Sequence, residues 1–213
     1  MMFLQMWSVS EPQIEDYAPF LDASAPVKAG GWVLPYGCSP FQEKKEHVGE
    51  MVYIDILNQA VGYVHITTPY LIIDNELMTA LTFAAKRGVD VKLITPGIPD
   101  KKSIFALSRT YYPELLAGGV KIYEYTPGFI HAKMFVSDDR TAVVGSINLD
   151  YRSLYLHFEC AALLYGCGAA ADVERDFQHT LSKCHEITPE DCNKDKLFRR
   201  LAGSILRPLA PLM

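Results

Sequence analysis

The residue types that could carry out a reaction are concentrated between positions 131 and 148. His131 and Lys133 are separated by one residue, Asp138 follows them, and the segment Gly145-Ser146-Ile147-Asn148 ends the window. An imidazole can attack phosphorus or transfer a proton. An ammonium group can neutralise an anion, and hydroxyl and carboxamide groups can donate hydrogen bonds to its oxygen atoms. The window therefore predicts a site that binds a phosphate-like anion and reacts with it.

Two strands are needed to bring these groups together. The sequence predicts strands at Ile130–Ser137 and Thr141–Ile147, joined by a short Asp-Asp-Arg segment, and a connection of this length favours an antiparallel hairpin. Side chains alternate along a strand, so the imidazole and the ammonium group should share one face. The hydroxyl of Ser146 and the carboxamide of Asn148 should likewise share a face of the second strand. We expect the hairpin to bring these four groups into one small volume.

A carboxylate on the next strand is the candidate partner of the histidine. The segment His157–Leu164 predicts a core strand, and Glu159 is the acidic residue within its apolar run. Burying an unpaired carboxylate is costly, so a glutamate at this position should have a partner. A histidine that reacts at phosphorus needs a group that fixes its tautomer and stabilises the imidazolium. We therefore expect Glu159 to orient His131.

The rest of the chain alternates strand-like and helical patterns, which is typical of layered α/β proteins. Strands are predicted at 31–36, 61–69, 89–95 and 120–125, and helices at 49–60, 75–87, 101–117 (interrupted at Pro113) and 169–185. Residues 186–193 are predicted to form a loop, and 194–206 a helix. The predicted fold class is a layered α-β-α domain with a mixed, largely parallel sheet. We expect residues 1–213 to form one domain, with 1–28 an irregular lead-in and 186–213 a C-terminal helical tail.

Composition and charge exclude several classes of protein. The chain has 213 residues, 49% of them hydrophobic, which is enough for a core and excludes a disordered protein. Its formal net charge of −5 argues against a protein that coats nucleic acid. The longest uncharged apolar stretch, 160–171, is too short to span a bilayer. We also see no cluster of acidic residues in the sequence that would suit Mg²⁺.

The five cysteines indicate reduced thiols. Their number is odd and the sequence contains no Cys-x-x-Cys pair, so it does not indicate a disulfide framework. A zinc site built from Cys184, His185 and Cys192 is an alternative, but this spacing fits no usual ligand framework. We therefore expect free thiols and no metal site.

The window as a whole resembles the HKD motif of the phospholipase D superfamily, since it reads His131-x-Lys133-x4-Asp138 and then Gly145-Ser-x-Asn148. The flanking segments are similar to the second HKD half of bacterial cardiolipin synthases. These segments are Phe3–Trp7, Thr68–Tyr70, Asn148–Ser153, Leu156–Glu159 and Arg207–Leu212. The resemblance covers nearly the whole chain. It implies a phospholipase D-like fold, no cofactor and no catalytic metal.

The resemblance also implies roles for the reactive residues. His131 corresponds to the motif histidine, which is the nucleophile or the general acid according to the half that carries it. Similarity to the second half favours the role of acid and base for His131. Lys133, Ser146 and Asn148 correspond to the groups that bind the phosphoryl oxygens.

The remaining matches imply supporting roles. Asp138 corresponds to the motif aspartate, which serves the local fold more than the chemistry. Glu159 corresponds to the acid that orients the histidine. Gly145, Tyr70 and Arg152 are expected to take part in substrate binding.

One departure from the family pattern is the number of motifs. Active sites of the superfamily combine two HKD motifs, and no second His-x-Lys occurs in this sequence. The missing half must come from a second copy of the chain or from another part of a longer parent protein. The segments at the two ends of the chain favour the longer parent.

The resemblance implies a phosphatidyltransferase that condenses two phosphatidylglycerol molecules to cardiolipin and glycerol at the cytosolic face of the cell membrane. Its expected partners are phosphatidylglycerol, a membrane surface and a second HKD half, with no nucleic acid. A homodimeric HKD nuclease or phosphodiesterase is one alternative, and a catalytically silent HKD binding domain is another. The amphipathic segment after Leu197 fits either an anionic lipid surface or packing on the domain.

Overall fold

The computed structural model describes residues 7, 16, 18–20, 30–40, 46–194 and 207–212. The chain forms two compact units, Met1–Gly30 and Gly31–Met213, and the sheet and its helices belong to the second. Most of the expected lead-in and of the expected helix at 194–206 lies outside the described residues. The division into domains therefore stays a prediction.

Ten strands occur in the described part of the chain, and eight of them form one mixed sheet. They are β1 (Trp32–Cys38), β2 (Tyr63–Thr67), β3 (Leu71–Ile72), β4 (Asp90–Pro96), β5 (Lys121–Tyr125), β6 (Met134–Ser137), β7 (Thr141–Gly145), β8 (Leu149–Asp150), β9 (Glu159–Tyr165) and β10 (Cys184–Ile187). The strand order is β1-β9-β7-β6-β2-β4-β5-β10, and β3 and β8 form a separate parallel pair.

The predicted α/β fold class is confirmed, but the expectation of a largely parallel sheet is wrong. Within the eight-stranded sheet, only the pairs β2–β4 and β4–β5 are parallel. The neighbours β1–β9, β9–β7, β7–β6, β6–β2 and β5–β10 are all antiparallel. The turn between β6 and β7 is too short for a crossover helix and forms the predicted hairpin, whereas the pairs β1–β9, β2–β6 and β5–β10 join segments that are far apart in the sequence.

The helices cover both faces of the sheet. They are α1 (Val48–Gln59), α2 (Asn75–Lys86), α3 (Lys102–Ser108), α4 (Tyr112–Ala117), α5 (Gly168–Leu181) and α6 (Pro189–Lys194), with a π-helical turn at Arg152–Leu156 and 3-10 turns at Ala18–Phe20 and Arg207–Leu212. One face carries the main core, in which the Tyr53 ring of α1 stacks on Phe135 of β6 at 4.0 Å. On the opposite face, Phe177 of α5 packs against Ile94 and Met134. Packing on the two faces of the sheet thus holds β6 and β7, the strands that lie within the HKD-like window at 131–148.

Two local differences from the predicted elements have clear causes. The helix at 101–117 is divided into α3 and α4, but the break lies at residues 109–111 and not at Pro113 as predicted, because Pro113 is in the first turn of α4, where its missing N–H costs little. The loop predicted at 186–193 is wrong, because residues 184–187 form β10 and residues 189–194 form α6. Ile187 is buried opposite Ile122 of β5, and this pairing extends the sheet by one strand.

The five cysteines all lie outside disulfide bonds. Cys38 and Cys192 are buried, whereas Cys160 is exposed. None of the described helices is long and apolar enough to cross a membrane.

Candidate active site

An open cavity of about 850 Å³ lies where β6, β7 and β9 meet α5. Its wall contains six of the predicted site residues, His131, Lys133, Gly145, Ser146, Asn148 and Glu159. The predicted convergence of an imidazole, an ammonium group, a hydroxyl and a carboxamide is therefore found in one cavity.

His131 and Lys133 reach this cavity from an irregular segment, because the strand predicted at 130–137 begins only at Met134. The amide of Gly145 still donates to the Lys133 carbonyl at 3.3 Å, but the next amide, that of Ser146, donates to the Cys160 carbonyl at 2.8 Å. The pairing of β7 with β6 therefore ends at this point. The side chains of His131 and Lys133 both line the cavity, but the strand that was expected to place them on one face begins only after them, at Met134.

The ammonium group of Lys133 lies against the imidazole of His131. Its Nζ is 2.9 Å from Nδ1 and 3.0 Å from Nε2, and it donates to the His131 carbonyl oxygen at 2.7 Å. An ammonium group can only donate hydrogen bonds, so a ring nitrogen of His131 is the acceptor of this contact. Burial lowers the pKa of Lys133, although the negative charges of Glu159 and Asp150 oppose that shift.

Ser146 and Glu159 form a hydrogen-bonded pair at the base of the cavity. Ser146 Oγ donates to Glu159 Oε2 and accepts from the Cys160 amide at 3.0 Å. Glu159 is buried, and its Oε1 lies 3.7 Å from Nδ1 of His157. The contacts of Glu159 are therefore with Ser146 and His157, and its predicted role in orienting His131 stays a prediction.

Asn148 offers a polar atom to the cavity. Its Nδ2 donates to Ser153 Oγ at 2.9 Å, while its Oδ1 is buried and has no hydrogen-bond partner among the described residues. Asp150 lies nearby, where burial raises its pKa and the Ser153 amide donates to it at 2.7 Å. Because an unpaired buried polar atom is costly, Oδ1 of Asn148 is suited to a hydrogen-bond donor, whereas Nδ2 is the atom that can donate.

Asp138 lies away from the cavity, at the turn between β6 and β7. Its carboxylate accepts hydrogen bonds from the backbone amides of Val61, Gly62 and Tyr63 at 2.9, 2.9 and 2.8 Å. Burial alone would raise the pKa of Asp138, but these donors outweigh it and hold the pKa below its ordinary value. The motif aspartate therefore fastens the start of β2 to the hairpin that carries the reactive residues.

We expect Asp138→Asn to lower the free energy of unfolding by about 2 kcal/mol, because hydrogen bonds to a charged acceptor are lost. Asparagine tolerates the positive φ of 52° at this position, so the change isolates the charge. A depressed carboxyl pKa stabilises the fold above the ordinary pKa, and this contribution is lost as pH falls through the folded-state value. Urea unfolding at pH 7 and pH 3 measures both effects.

The matched control is Asp139→Asn at the neighbouring position, which has the same φ of 52°. Its exposed carboxylate accepts from the Tyr63 hydroxyl at 2.9 Å, and an asparagine oxygen can replace it there. The control should change stability by less than about 0.5 kcal/mol. Equal losses in the two variants at pH 7 would contradict the role given to the Asp138 carboxylate.

The structure does not bring Tyr70 and Arg152 to the cavity wall. The Tyr70 hydroxyl donates to Asp100 at 2.6 Å, and its ring reaches His131 only through Phe129, with centroid separations of 6.5 and 5.6 Å. Arg152 Nε donates to His157 Nε2 at 2.6 Å. Their assignment as substrate-binding residues has no support from this geometry.

Sequence reasoning missed the part of the wall that α5 contributes. Asp172, Val173 and Asp176 line the cavity, although the helix was recognised only by its apolar spacing. The spacing of the two aspartates places them on one side of the helix, which was the available signal. Among the described lining residues, Lys133 is the one Lys or Arg and faces three acidic side chains, Glu159, Asp172 and Asp176.

Comparison with protein families identifies relatives that cover the whole chain. The family model described as "Cardiolipin synthase, PLD-like domain" matches residues 53–181. Cardiolipin synthase 2 of Bacillus cereus is 36% identical over the whole chain, which covers 41% of that relative. An uncharacterised protein of Streptococcus mutans serotype c is 54% identical over the whole chain, which covers 46% of it. The chain thus spans less than half the length of these relatives.

Two solved structures share the fold. Phosphatidylserine synthase of Haemophilus influenzae superimposes with a TM-score of 0.63 at 18% identity, over 85% of this chain and 48% of that one. The phospholipase D family member NUC of Salmonella typhimurium superimposes with a TM-score of 0.60 at 17% identity, over 73% of this chain and 97% of that one. At these identities the likeness establishes a common fold.

Proposed function

The chain belongs to the cardiolipin synthase family of phospholipase D-like proteins, and from this premise we propose that it is one half of a phosphatidyltransferase that makes cardiolipin. The substrate would be phosphatidylglycerol, presented at a membrane surface. One molecule would donate its phosphatidyl group and a second would accept it, with release of glycerol.

The observation that carries this proposal is the cavity in which His131, Lys133, Ser146 and Asn148 converge. Lys133 would neutralise the phosphodiester, and Ser146 and Asn148 would contact its oxygen atoms. These groups can stabilise the charge that builds up on phosphorus-bound oxygens in the transition state. The exposed ring of His131 lies beside them, where it can reach a leaving or attacking oxygen.

In the first step, a histidine of the complementary half would attack phosphorus through a neutral ring nitrogen. A P–N bond forms and the P–O bond to glycerol breaks. Protonated His131 would give its proton to the departing glycerol oxygen and become neutral. The product of this step is a phosphohistidine on the complementary half.

In the second step, a hydroxyl group of another phosphatidylglycerol would attack the phosphohistidine. His131 would take the proton of that hydroxyl, the P–O bond of cardiolipin would form, and the P–N bond would break. His131 thereby returns to its protonated state.

Two observations support the need for a complementary half. The chain contains a single His-x-Lys sequence, so it supplies one of the two histidines that the mechanism uses. In addition, the described cavity lining pairs one ammonium group with three carboxylate side chains, which is a poor environment for a phosphodiester. A second half that brings another histidine and positive charge would correct both deficiencies.

The proposal is tested by expressing the complete open reading frame that contains this chain in bacteria that lack cardiolipin synthase. Cardiolipin should accumulate, and purified protein with phosphatidylglycerol vesicles should release glycerol and cardiolipin in equal amounts. Acid-free trapping should locate the phosphohistidine on a histidine other than His131. Release of phosphatidic acid alone would indicate a phosphodiesterase, and a phosphohistidine at His131 would reverse the roles of the two halves.

A further inference from the structure

A group of carboxyl side chains lies outside the cavity, on the far side of the π-helical turn. Oxygen atoms of Glu50 in α1, Asp74 before α2 and Glu76 in α2 all lie within 4.8 Å of one another. Glu50 and Asp74 are each only 8% exposed. Glu50 is far from Asp74 and Glu76 in the sequence, so the group forms only in the folded chain.

Asp74 is the acceptor at the centre of this group. Its Oδ1 accepts from the Leu77 amide at 2.8 Å and so caps α2, while its Oδ2 accepts from the hydroxyl of Tyr155. Burial, followed by the effects of Asp74 and Glu50, raises the pKa of Tyr155 far above its ordinary value. Tyr155 thus remains a donor, and both carboxylate oxygens of Asp74 accept hydrogen bonds.

Glu50 has a different state, because it is buried and in hydrogen-bonding contact with Asp74. Burial, and then the neighbouring Asp74, raise the pKa of Glu50 to about 7. A protonated Glu50 can donate to the Asp74 carboxylate, whereas an ionised Glu50 would repel it. Two buried carboxylates this close are stable together when they hold one proton between them.

Other titratable groups face this pair from the surrounding elements. Glu76 adds negative charge from α2, and the His47 ring before α1 contacts the Tyr155 ring at 4.5 Å. Burial and then the negative charges of the cluster raise the pKa of Tyr151, and the positive charge of Arg207 opposes that shift. The Arg207 guanidinium also donates a hydrogen bond to Glu114 at 2.8 Å. Within this group, Glu50 is therefore the carboxyl group whose pKa is raised by burial and by a neighbouring carboxylate.

The cluster is connected to the cavity through the π-helical turn Arg152–Leu156. Tyr155 anchors this turn to Asp74, and Ser153 in the same turn accepts the hydrogen bond from the carboxamide of Asn148. The Ser153 amide also donates to Asp150. A shift of the turn would therefore move the partner that holds Asn148 in the cavity wall.

We propose that Glu50 and Asp74 share one proton and, with Tyr155, form a proton-dependent clamp that positions Asn148. Glu50 is a positioning residue, since it acts through Asp74, Tyr155 and Ser153. Loss of the shared proton places two negative charges side by side and loosens the clamp. The effect on activity rests on the proposed function, whereas the effect on stability does not.

The test compares the melting temperature of the wild type with that of Glu50→Gln between pH 5 and pH 8.5. When the folded-state pKa of a carboxyl group is raised, the protein becomes less stable as the pH rises from the ordinary pKa of that group to its folded-state pKa, which is about 7 for Glu50. Above this pH the contribution of the group to stability no longer changes. The amide of glutamine keeps a donor for Asp74 and does not titrate. The variant should match the wild type at pH 5 and exceed it by about 3 °C or more at pH 8.

The matched control is Glu46→Gln, an exposed glutamate just before α1, whose curve should run parallel to the wild type. Parallel curves for Glu50→Gln would overturn the clamp. A rise in melting temperature with Ca²⁺ or Mg²⁺ in the wild type but not in Glu50→Gln would overturn it as well, because the cluster would then hold a cation instead of a proton.

Two further measurements complete the test. Carbon-13 NMR titration of the glutamate carboxyl groups in the wild type requires no variant: a group that titrates near pH 7 supports the clamp, and its absence overturns it. In the transfer assay, the ratio of Glu50→Gln to wild-type activity should rise with pH through about 7. If no transfer activity exists, the proposed function fails while the melting and NMR results still decide the clamp.

Discussion

Replacing His131 by alanine is expected to lower the rate of phosphatidyl transfer by roughly 10²- to 10⁴-fold, which is the usual contribution of a positioned general acid and base. His131 is exposed, lies in an irregular segment before β6 and contributes nothing to the buried core. The variant should therefore keep the melting temperature of the wild type. The loss should appear in kcat with little change in KM, because the proton transfer occurs only in the transition state.

The matched control for this prediction is His185→Ala. His185 is also exposed, but it lies on β10 at the opposite edge of the sheet from β1. This control should retain nearly all of the activity. A His131→Ala protein that keeps more than about a tenth of the wild-type kcat would contradict the assigned role of His131 as acid and base.

The sequence was sufficient for the parts of the site that are close together along the chain. His131, Lys133, Ser146 and Asn148 lie on two neighbouring segments joined by a short turn. The β6–β7 hairpin brings these segments close together, and β9 completes the arrangement through the hydrogen bond from the Ser146 amide to Cys160. The role of Asp138 in the local fold is likewise consistent with its three backbone donors.

Contacts between distant segments could not be predicted in the same way. Glu159 was placed correctly at the cavity but accepts a hydrogen bond from Ser146, because β9 pairs with β7 and Ser146, just beyond β7, continues along the first residues of β9. The cluster of Glu50 with Asp74 depends on the packing of α1 against α2. Such contacts are set by tertiary packing, for which the spacing of residue types gives no signal.

The sheet shows the same limit at the level of the fold. Alternating strands and helices predicted parallel pairing, and β2, β4 and β5 do pair in this way. Hairpin-like connections reverse the later strands, and β1 joins the sheet by pairing with β9 from the far end of the sequence. Local sequence patterns predicted individual strands, whereas the order of the strands in the sheet depends on tertiary packing.

Lys133 is the residue for which we expect the second large effect, because it is the ammonium group of the described cavity lining. Lys133→Met should lower kcat/KM by roughly 10²- to 10³-fold, the loss typical of removing one preorganised group that stabilises transition-state charge. Both KM and kcat should change, since the phosphodiester is already negative in the ground state. Lys101→Met, at an exposed lysine just before α3, is the control and should leave both constants unchanged.

A second substitution, Lys133→Arg, separates charge from geometry through the pH profile. Burial lowers the pKa of Lys133, so the wild-type enzyme should lose activity on the alkaline side as the ammonium group loses its proton. Arginine stays protonated throughout this range. The arginine variant should therefore keep its activity, relative to its own maximum, to higher pH than the wild type. If the two alkaline limbs coincide, the charge of Lys133 is not what the cavity contributes to transfer, and the anion must be held by other groups.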